Sequence, residues 1–249
     1  SYQSDLVGPT TILYEEETTI LSTNGWYNTQ SELSMLLDRS QIIHADGMML
    51  TGDTIYYDKA QGYGRCIGNI ESVDSTNSMT LYGHKGEVWE KNNRAYVTDS
   101  AMLQDWSDST AYTYMHADSL WTEEVPYQIY TLRERDSILI DSVLTAQAPD
   151  TIWSDTTYQQ LRAFRNVRIY REDIQAVCDS ARYHGRDSLI TLYGLPICWS
   201  DESQISADQI DIYIKNEDVD YLYGQGNAIA IMQEGMTEFN QMAGKEMYA

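Results

Sequence analysis

Apolar and polar residues alternate in short runs along this chain, the period of strands with one covered face. Ala95, Val97, Ala101 and Leu103 fall on one side of such a run, and Tyr96, Thr98, Ser100 and Gln104 on the other. Polar clusters at Asp58 to Gly62, Asp74 to Asn77, Glu90 to Asn93 and Lys215 to Asp218 separate the runs and carry turn chemistry. The pattern predicts paired strands of about six to ten residues joined by polar turns. Helical periodicity is weak. Glu32 to Leu37 has the composition for a turn and a half, yet its place in the pattern argues for strand. Residues 123–161 break the rhythm, with Pro126, the alternating run Ser137 to Val143 and the loop Ala146 to Asp150. The expected organisation is a first set of repeats over 1–122, an irregular rung with an insertion and a hinge near 146–160, and a second set over 162–249. One continuous elongated domain is the alternative. Ser1 to Leu6 are expected to fray.

A phrase of a small residue, Asp, any residue and an apolar one recurs within this alternation. It appears at Gly52-Asp53-Thr54-Ile55, Ala117-Asp118-Ser119-Leu120, Cys178-Asp179-Ser180-Ala181 and Ala207-Asp208-Gln209-Ile210, and at His84-Lys85-Gly86 without the Asp. A second phrase interleaves with it: Gly68-Asn69-Ile70, Asp99-Ser100-Ala101, Arg165-Asn166-Val167 and Gly226-Asn227-Ala228. Self-similarity at about 30 residues marks a stacked array, and an array of β-rungs builds a long groove. Alternation from these phrases places Ile55, Tyr57, Val88, Leu120, Tyr183, Ile210 and Ile212 on the inward face. The interleaved strands add Ile70, Val97, Ala101, Leu103, Val167, Ile169, Ala228 and Ala230.

Composition narrows the function. The chain has 20 Tyr and 6 Trp against 2 Phe, rings suited to surfaces that are apolar on one side and wet on the other. The net charge of −22, spread along the whole length, excludes the basic footprint that nucleic-acid binding needs. It also opposes a phosphorylated ligand unless divalent cations or apolar contact compensate. No apolar run reaches the roughly 18 residues of a membrane span.

Catalytic patterns are lacking: no Gly-x-Ser-x-Gly elbow, no phosphate-cradling glycine loop and no Cys-x-x-Cys. The acids recur at turns and strand ends, where they cap and solvate, so the reading is non-enzymatic, without cofactor or metal. His84 and His116 stand about one repeat apart with Asp118 nearby, but exposed ladder positions explain them without a metal. Cys66, Cys178 and Cys198 read as small core hydrophobes, with a Cys178–Cys198 bridge as the alternative. At least Cys66 is expected to be a free buried thiol.

Several strings resemble a known family: Leu50-Thr51-Gly52-Asp53-Thr54-Ile55-Tyr56-Tyr57-Asp58, Arg162-Ala163-Phe164-Arg165-Asn166-Val167-Arg168-Ile169-Tyr170, Gln175 to Ser180, Leu192 to Trp199 and Gln204 to Asp208. Together they are similar to the OstA-like proteins, relatives of the periplasmic lipopolysaccharide-transport protein and of the N-terminal domain of its outer-membrane partner. The resemblance covers about residues 20 to 247 and implies an open, tapered all-β jellyroll, or "taco". Its apolar slot would take the acyl chains of lipopolysaccharide or a related amphiphile. It further implies a periplasmic location and end-to-end joining, with copies of itself or with envelope transport proteins, by β-strand addition. The fifteen inward residues named above would then line the slot. A scaffold with a filled core, docking partners through its sheet edges, is the competing reading.

Overall fold

The computed structural model describes residues 2–14, 18–109, 111–133, 139–140, 143–144, 150–200, 203–215, 218–235 and 238–249. Its strands are β1 (Gln3–Tyr14), β2 (Thr18–Asn28), β3 (Leu33–His44), β4 (Met48–Asp58), β5 (Tyr63–Asp74), β6 (Met79–Trp89), β7 (Arg94–Asp105) and β8 (Thr113–Arg133). There follow β9 (Leu139–Ile140), β10 (Val143–Leu144), β11 (Asp150–Tyr170), β12 (Gln175–His184), β13 (Leu189–Tyr193) and β14 (Ile197–Ser200). The chain finishes with β15 (Ser203–Ser206), β16 (Gln209–Lys215), β17 (Asp218–Gln233) and β18 (Phe239–Tyr248). All but β9 and β10, which pair with each other, belong to one antiparallel sheet of 16 strands. β1 to β8 follow one another as a meander, and β11 pairs with β8 to carry the sheet on to β12. The fold is all-β: an elongated, open jellyroll built from the stacked repeats seen in the sequence.

The recurring phrases are where each strand bends. Asp38-Arg39, Gly68-Asn69, Asp99-Ser100, Arg165-Asn166 and Gly226-Asn227 all have positive φ. At each of these positions the pairing register slips, the signature of a bulge that turns the strand. Each repeat therefore has two legs meeting at a crease. The Asp phrases lie on neighbouring strands and satisfy the bends. Asn69 donates to Asp53 at 2.7 Å, Asn166 to Asp118 at 3.1 Å and Asn227 to Asp208 at 3.0 Å. Arg165 pairs with Asp118, and Lys85 with Asp99. Asp53, Asp118 and Asp208 are thus equivalent. At Gly68 and Gly226 a side chain is excluded twice, because φ is +80° and +75° and an added Cβ would fall on the carboxylates of Asp53 and Asp208.

These bends account for two departures from the sequence reading. The early strands, such as β3 and β4, are longer than expected, because each mid-strand bulge shifts the alternation and splits one strand into two short runs. Between β12 and β17 the bend does break the strand, so β13 and β14, and likewise β15 and β16, are the two legs of one repeat. Nor do Gln3 to Leu6 fray: Gln3 pairs with Asn28 and Leu6 with Gly25, which anchors β1 from its first residue, while Ser1 lies outside the described residues. Glu32 to Leu37 lies in strand apart from Glu32, as its place in the repeat required. The sheet crosses residues 122/123 and 161/162 without interruption through the β8–β11 pairing. Glu15 to Glu17, most of Ser137 to Val143, Ala146 to Pro149 and Asn216-Glu217 lie outside the described residues, as does part of the proposed hinge. Among the described residues no helix is long and apolar enough to cross a membrane.

Candidate functional site

Strand register sorts the inner face into rows that run the length of the stack. The first, on the leg before the bend in odd-numbered early strands, is Leu6, Gly25, Leu36, Ile55, Cys66, Gly86, Val97, Leu120, Ala163, Ala181, Leu192, Ile210 and Gly224. Its large members are buried from end to end, Leu36 and Ile55 as fully as Leu192 and Ile210. Along the crease itself lie small residues: Ser40 opposite Gly52, Gly83 opposite Ile70, Ala101 opposite Ala117. Crowding sets their size. A Cβ on Gly52 would meet the Cys66 sulfur, and one on Gly83 would meet Val97. Ala101 and Ala228 have 0 % exposure, so the crease is packed rather than hollow.

The row on the other leg behaves differently. It reads Ile12, Ile20, Ile42, Leu50, Ser72, Leu81, Leu103, Met115, Ile169, Ala176, Cys198, Ile205, Ala230 and Met242, each opposite the next across a strand pair. From Ile12 to Leu103 every member is half-buried; from Met115 to Ala230 every member is buried. The facing row carries Tyr57, Val88 and Ala95, all half-buried, in the first part of the stack, and ends at buried Ile212 and Leu222. The two legs close on one another in the second part. Space for a Cβ on Gly224 is bounded at 3.3 Å by Ile205 of the opposite leg. One large buried cluster spans Val97 to Ala228, whereas the first part holds a smaller cluster of Leu6, Leu36, Ile55, Cys66 and Ile70.

Of the fifteen residues placed inward by alternation, Ile55, Ile70, Val97, Ala101, Leu120, Val167, Ile169, Ile210, Ile212, Ala228 and Ala230 are buried. Tyr57, Val88, Leu103 and Tyr183 are half-buried. Sequence reasoning missed Ile20, Ile42, Leu50 and Leu81. Their signal was an apolar residue two places from a small crease residue, as in Ser40-Gln41-Ile42 and Leu50-Thr51-Gly52. Tyr57 donates its hydroxyl to Glu90 at 3.0 Å, and its pKa is pushed up by burial first and then by that carboxylate. Tyr183 is raised by burial and by Asp105 of the other leg, in keeping with legs that approach at this level.

All three cysteines are free, Cys66 and Cys198 buried and Cys178 half-buried. Burial pushes each thiol up from the usual 9 to about 12. Because the folded pKa exceeds the unfolded one, folding stability is intact below pH 9 and is lost as pH rises from 9 toward 12. At pH 8 the native protein should resist iodoacetamide, and all three thiols should alkylate in denaturant, read by intact mass. Fast labelling of the native chain would contradict this burial. Among the described residues no group of three His, Cys, Asp or Glu side chains could hold a metal. His84 and His116 are exposed.

Two depressions mark the outside. One, of about 320 Å³, lies on the outer face among Arg94, Trp121, Glu123 and Arg162, where both arginines bind Glu123 at 3.1 and 2.8 Å. The second, of about 300 Å³, sits at the bend beside Arg39, Asn69 and His84. Ser100 shares the second lining with His84, but His84 Nδ1 accepts from the Asn69 backbone N–H at 3.4 Å, not from that hydroxyl.

No family model matches the chain, and no curated protein matches it. Three chains of solved structures match. One is the crystal structure of LptH, the LptA-homologous periplasmic component of the conserved lipopolysaccharide transport device from Pseudomonas aeruginosa. It is 8 % identical over 79 % of this chain and 94 % of that one, with a TM-score of 0.27. The fold assignment stands on the strand register above, not on that superposition.

Proposed function

We propose that this chain is a non-enzymatic, periplasmic binding or bridge protein that holds the acyl chains of lipopolysaccharide or a related amphiphile in the first part of its folded sheet. The carrying observation is the row from Ile12 to Leu103. It is apolar except for Ser72 and stays in register from β1 to β7. It is half-covered where its continuation from Met115 onward is fully covered. A half-covered apolar row facing half-buried Tyr57 and Val88 is the form an acyl-chain site takes. Desolvation supplies the attraction, at ~0.8 kcal/mol per buried CH₂, so little polar recognition is required. The OstA-like strings in the sequence point to the same ligand class.

A bridge role has its own support in the two sheet edges. Among the described residues β1 pairs only with β2, and β18 only with β17, so each presents a row of backbone groups at a sheet edge. Exposed Val7, Leu13, Phe239 and Met242 flank those rows, which suits end-to-end joining by strand addition. The scaffold reading draws on these edges and on the filled second half. Mass spectrometry of the protein purified from a Gram-negative envelope without detergent separates the two. Acylated lipid at about one molecule per chain is the expected result. A lipid-free chain that still assembles end to end would favour the scaffold.

A further inference from the structure

The depression of about 320 Å³ on the outer face lies where β7, β8 and β11 run side by side. Three cross-strand rows build it. Arg94, Glu123 and Gln160 are paired across the strands in the first, Tyr96, Trp121 and Arg162 in the second, and Ser119 with Phe164 in the third. Each of these strands has a neighbour on both sides, so its backbone groups are used in the ladder and side chains alone are left to bind. Trp121 supplies a flat apolar surface. Tyr96 holds it at 4.5 Å between ring centroids, and Trp89 lies parallel to it at 6.2 Å. Phe164, 40 % exposed, adds a second ring to the lining.

Donors and acceptors are mixed around these rings. Glu123 receives Arg94 at 3.1 Å on one oxygen and Arg162 at 2.8 Å on the other. The guanidinium groups are thus already matched by a carboxylate, and a bare anion would meet Glu123 as well as the acidity of the whole chain. Gln160 is 3 % exposed, and its Oε1 accepts from Arg162 Nε at 2.9 Å and from Nη2 at 2.6 Å. A guanidinium only donates, which fixes the amide orientation and leaves Nε2 as the end turned away from Arg162. That Nε2 has no protein partner among the described residues and is not sealed from solvent, and Gln160 lines the depression. The site therefore holds a nearly buried side chain with one donor still to be satisfied.

We infer that this depression is a saccharide site that seats one pyranose ring against Trp121. A pyranose presents a face of C–H groups to an aromatic ring and a rim of hydroxyls around it. Hydroxyls both donate and accept, so the rim can donate to Glu123 and accept from Gln160 Nε2 and the guanidinium N–H groups. Neither an anion nor an apolar chain satisfies both kinds of group. A peptide strand would need free backbone partners and finds none in the middle of the sheet. A ring also brings little conformational entropy to lose, which suits a site of few side chains on rigid strands. None of these residues belongs to the inner rows, so the site stands apart from the acyl-chain slot.

The test is saturation-transfer NMR on the whole chain. Its probes are the methyl pyranosides of glucose, galactose and mannose together with N-acetylglucosamine, at the millimolar affinity expected of so small a ligand. At least one probe should show saturable transfer to its ring C–H protons, and the acyclic polyol sorbitol should show none. Gln160→Glu keeps the oxygen that holds Arg162 and removes the Nε2 donor, so it should weaken that probe about tenfold, the equivalent of one hydrogen bond. Trp121→Leu should abolish the transfer. Should that variant fail to fold, Phe164→Ser at an exposed position should weaken the same probe with an unchanged melting curve. Leu103→Asp should bind the sugar as the native chain does, which keeps this outcome separate from that of the slot. No transfer to any of these probes, equal transfer with the native chain and Gln160→Glu, or equally good competition by sorbitol or inorganic phosphate would overturn the inference. So would self-association abolished by Trp121→Leu, since a second copy of the chain would then be the occupant.

Discussion

Ala101→Trp should lower folding stability by about 3 kcal/mol or more, at the upper end of what overpacking a core costs. Ala101 is fully buried, opposite Ala117 at the crease, and belongs to the large cluster that includes Val97, Leu120 and Val167. An indole there has no free volume to enter, so both legs must part or the crease must open. Ala228→Trp should behave alike, because Ala228 sits beside the equivalent bend at Gly226-Asn227. Urea unfolding of each variant measures the effect. A change below about 1 kcal/mol, the low end of the overpacking cost, would mean that the crease is hollow and that the slot reaches deeper than the packing implies. The same substitution would be harmless in a molecule open down its whole length, and the burial of Ala101 is what decides against that.

Much of this architecture was written in local patterns. The interleaved phrases proved to be the two sides of one corner, Asp53 with Asn69, Asp118 with Asn166 and Asp208 with Asn227. A bend repeated once per rung needs residues that tolerate positive φ and a carboxylate to receive them, so the period was visible. Which stretch of the apolar face is covered was not. Leu81, Leu103 and Ile205 occupy the same row and look alike in sequence, yet the first two are half-exposed and the last is buried. Coverage depends on how closely the two legs approach, and that is set by residues from strands far apart in the chain. The ribbon of β8 with β11, which runs past the ends of the β7 and β12 pairings, was equally hidden. Residues 123–161 read as a broken repeat, because a ribbon that outruns its neighbours keeps strand composition and loses only its packing partners. The firm anchoring of Gln3 to Val7 also rests on a distant pairing, with Asn24 to Asn28.

The second large effect is expected at the open part of the row. Leu50→Asp together with Leu103→Asp places two carboxylates where acyl chains would lie, while both positions keep access to water and so spare the fold most of the cost of a buried charge. If each carboxylate denies contact to two or three methylenes, the loss is about 3–5 kcal/mol at ~0.8 kcal/mol per CH₂, or at least a hundredfold in affinity. The outward-facing neighbour Met102→Asp serves as the control, since it adds the same charge to the opposite face of the same strand. Equilibrium binding of a lipid A analogue below its aggregation threshold, compared across the native chain, Leu50→Asp/Leu103→Asp and Met102→Asp, tests the central claim most directly. Saturable binding by the native chain and by Met102→Asp, with at least a hundredfold loss in the double variant at near-native melting temperature, is the predicted result. No binding by the native chain, or equal binding by all three, would contradict it.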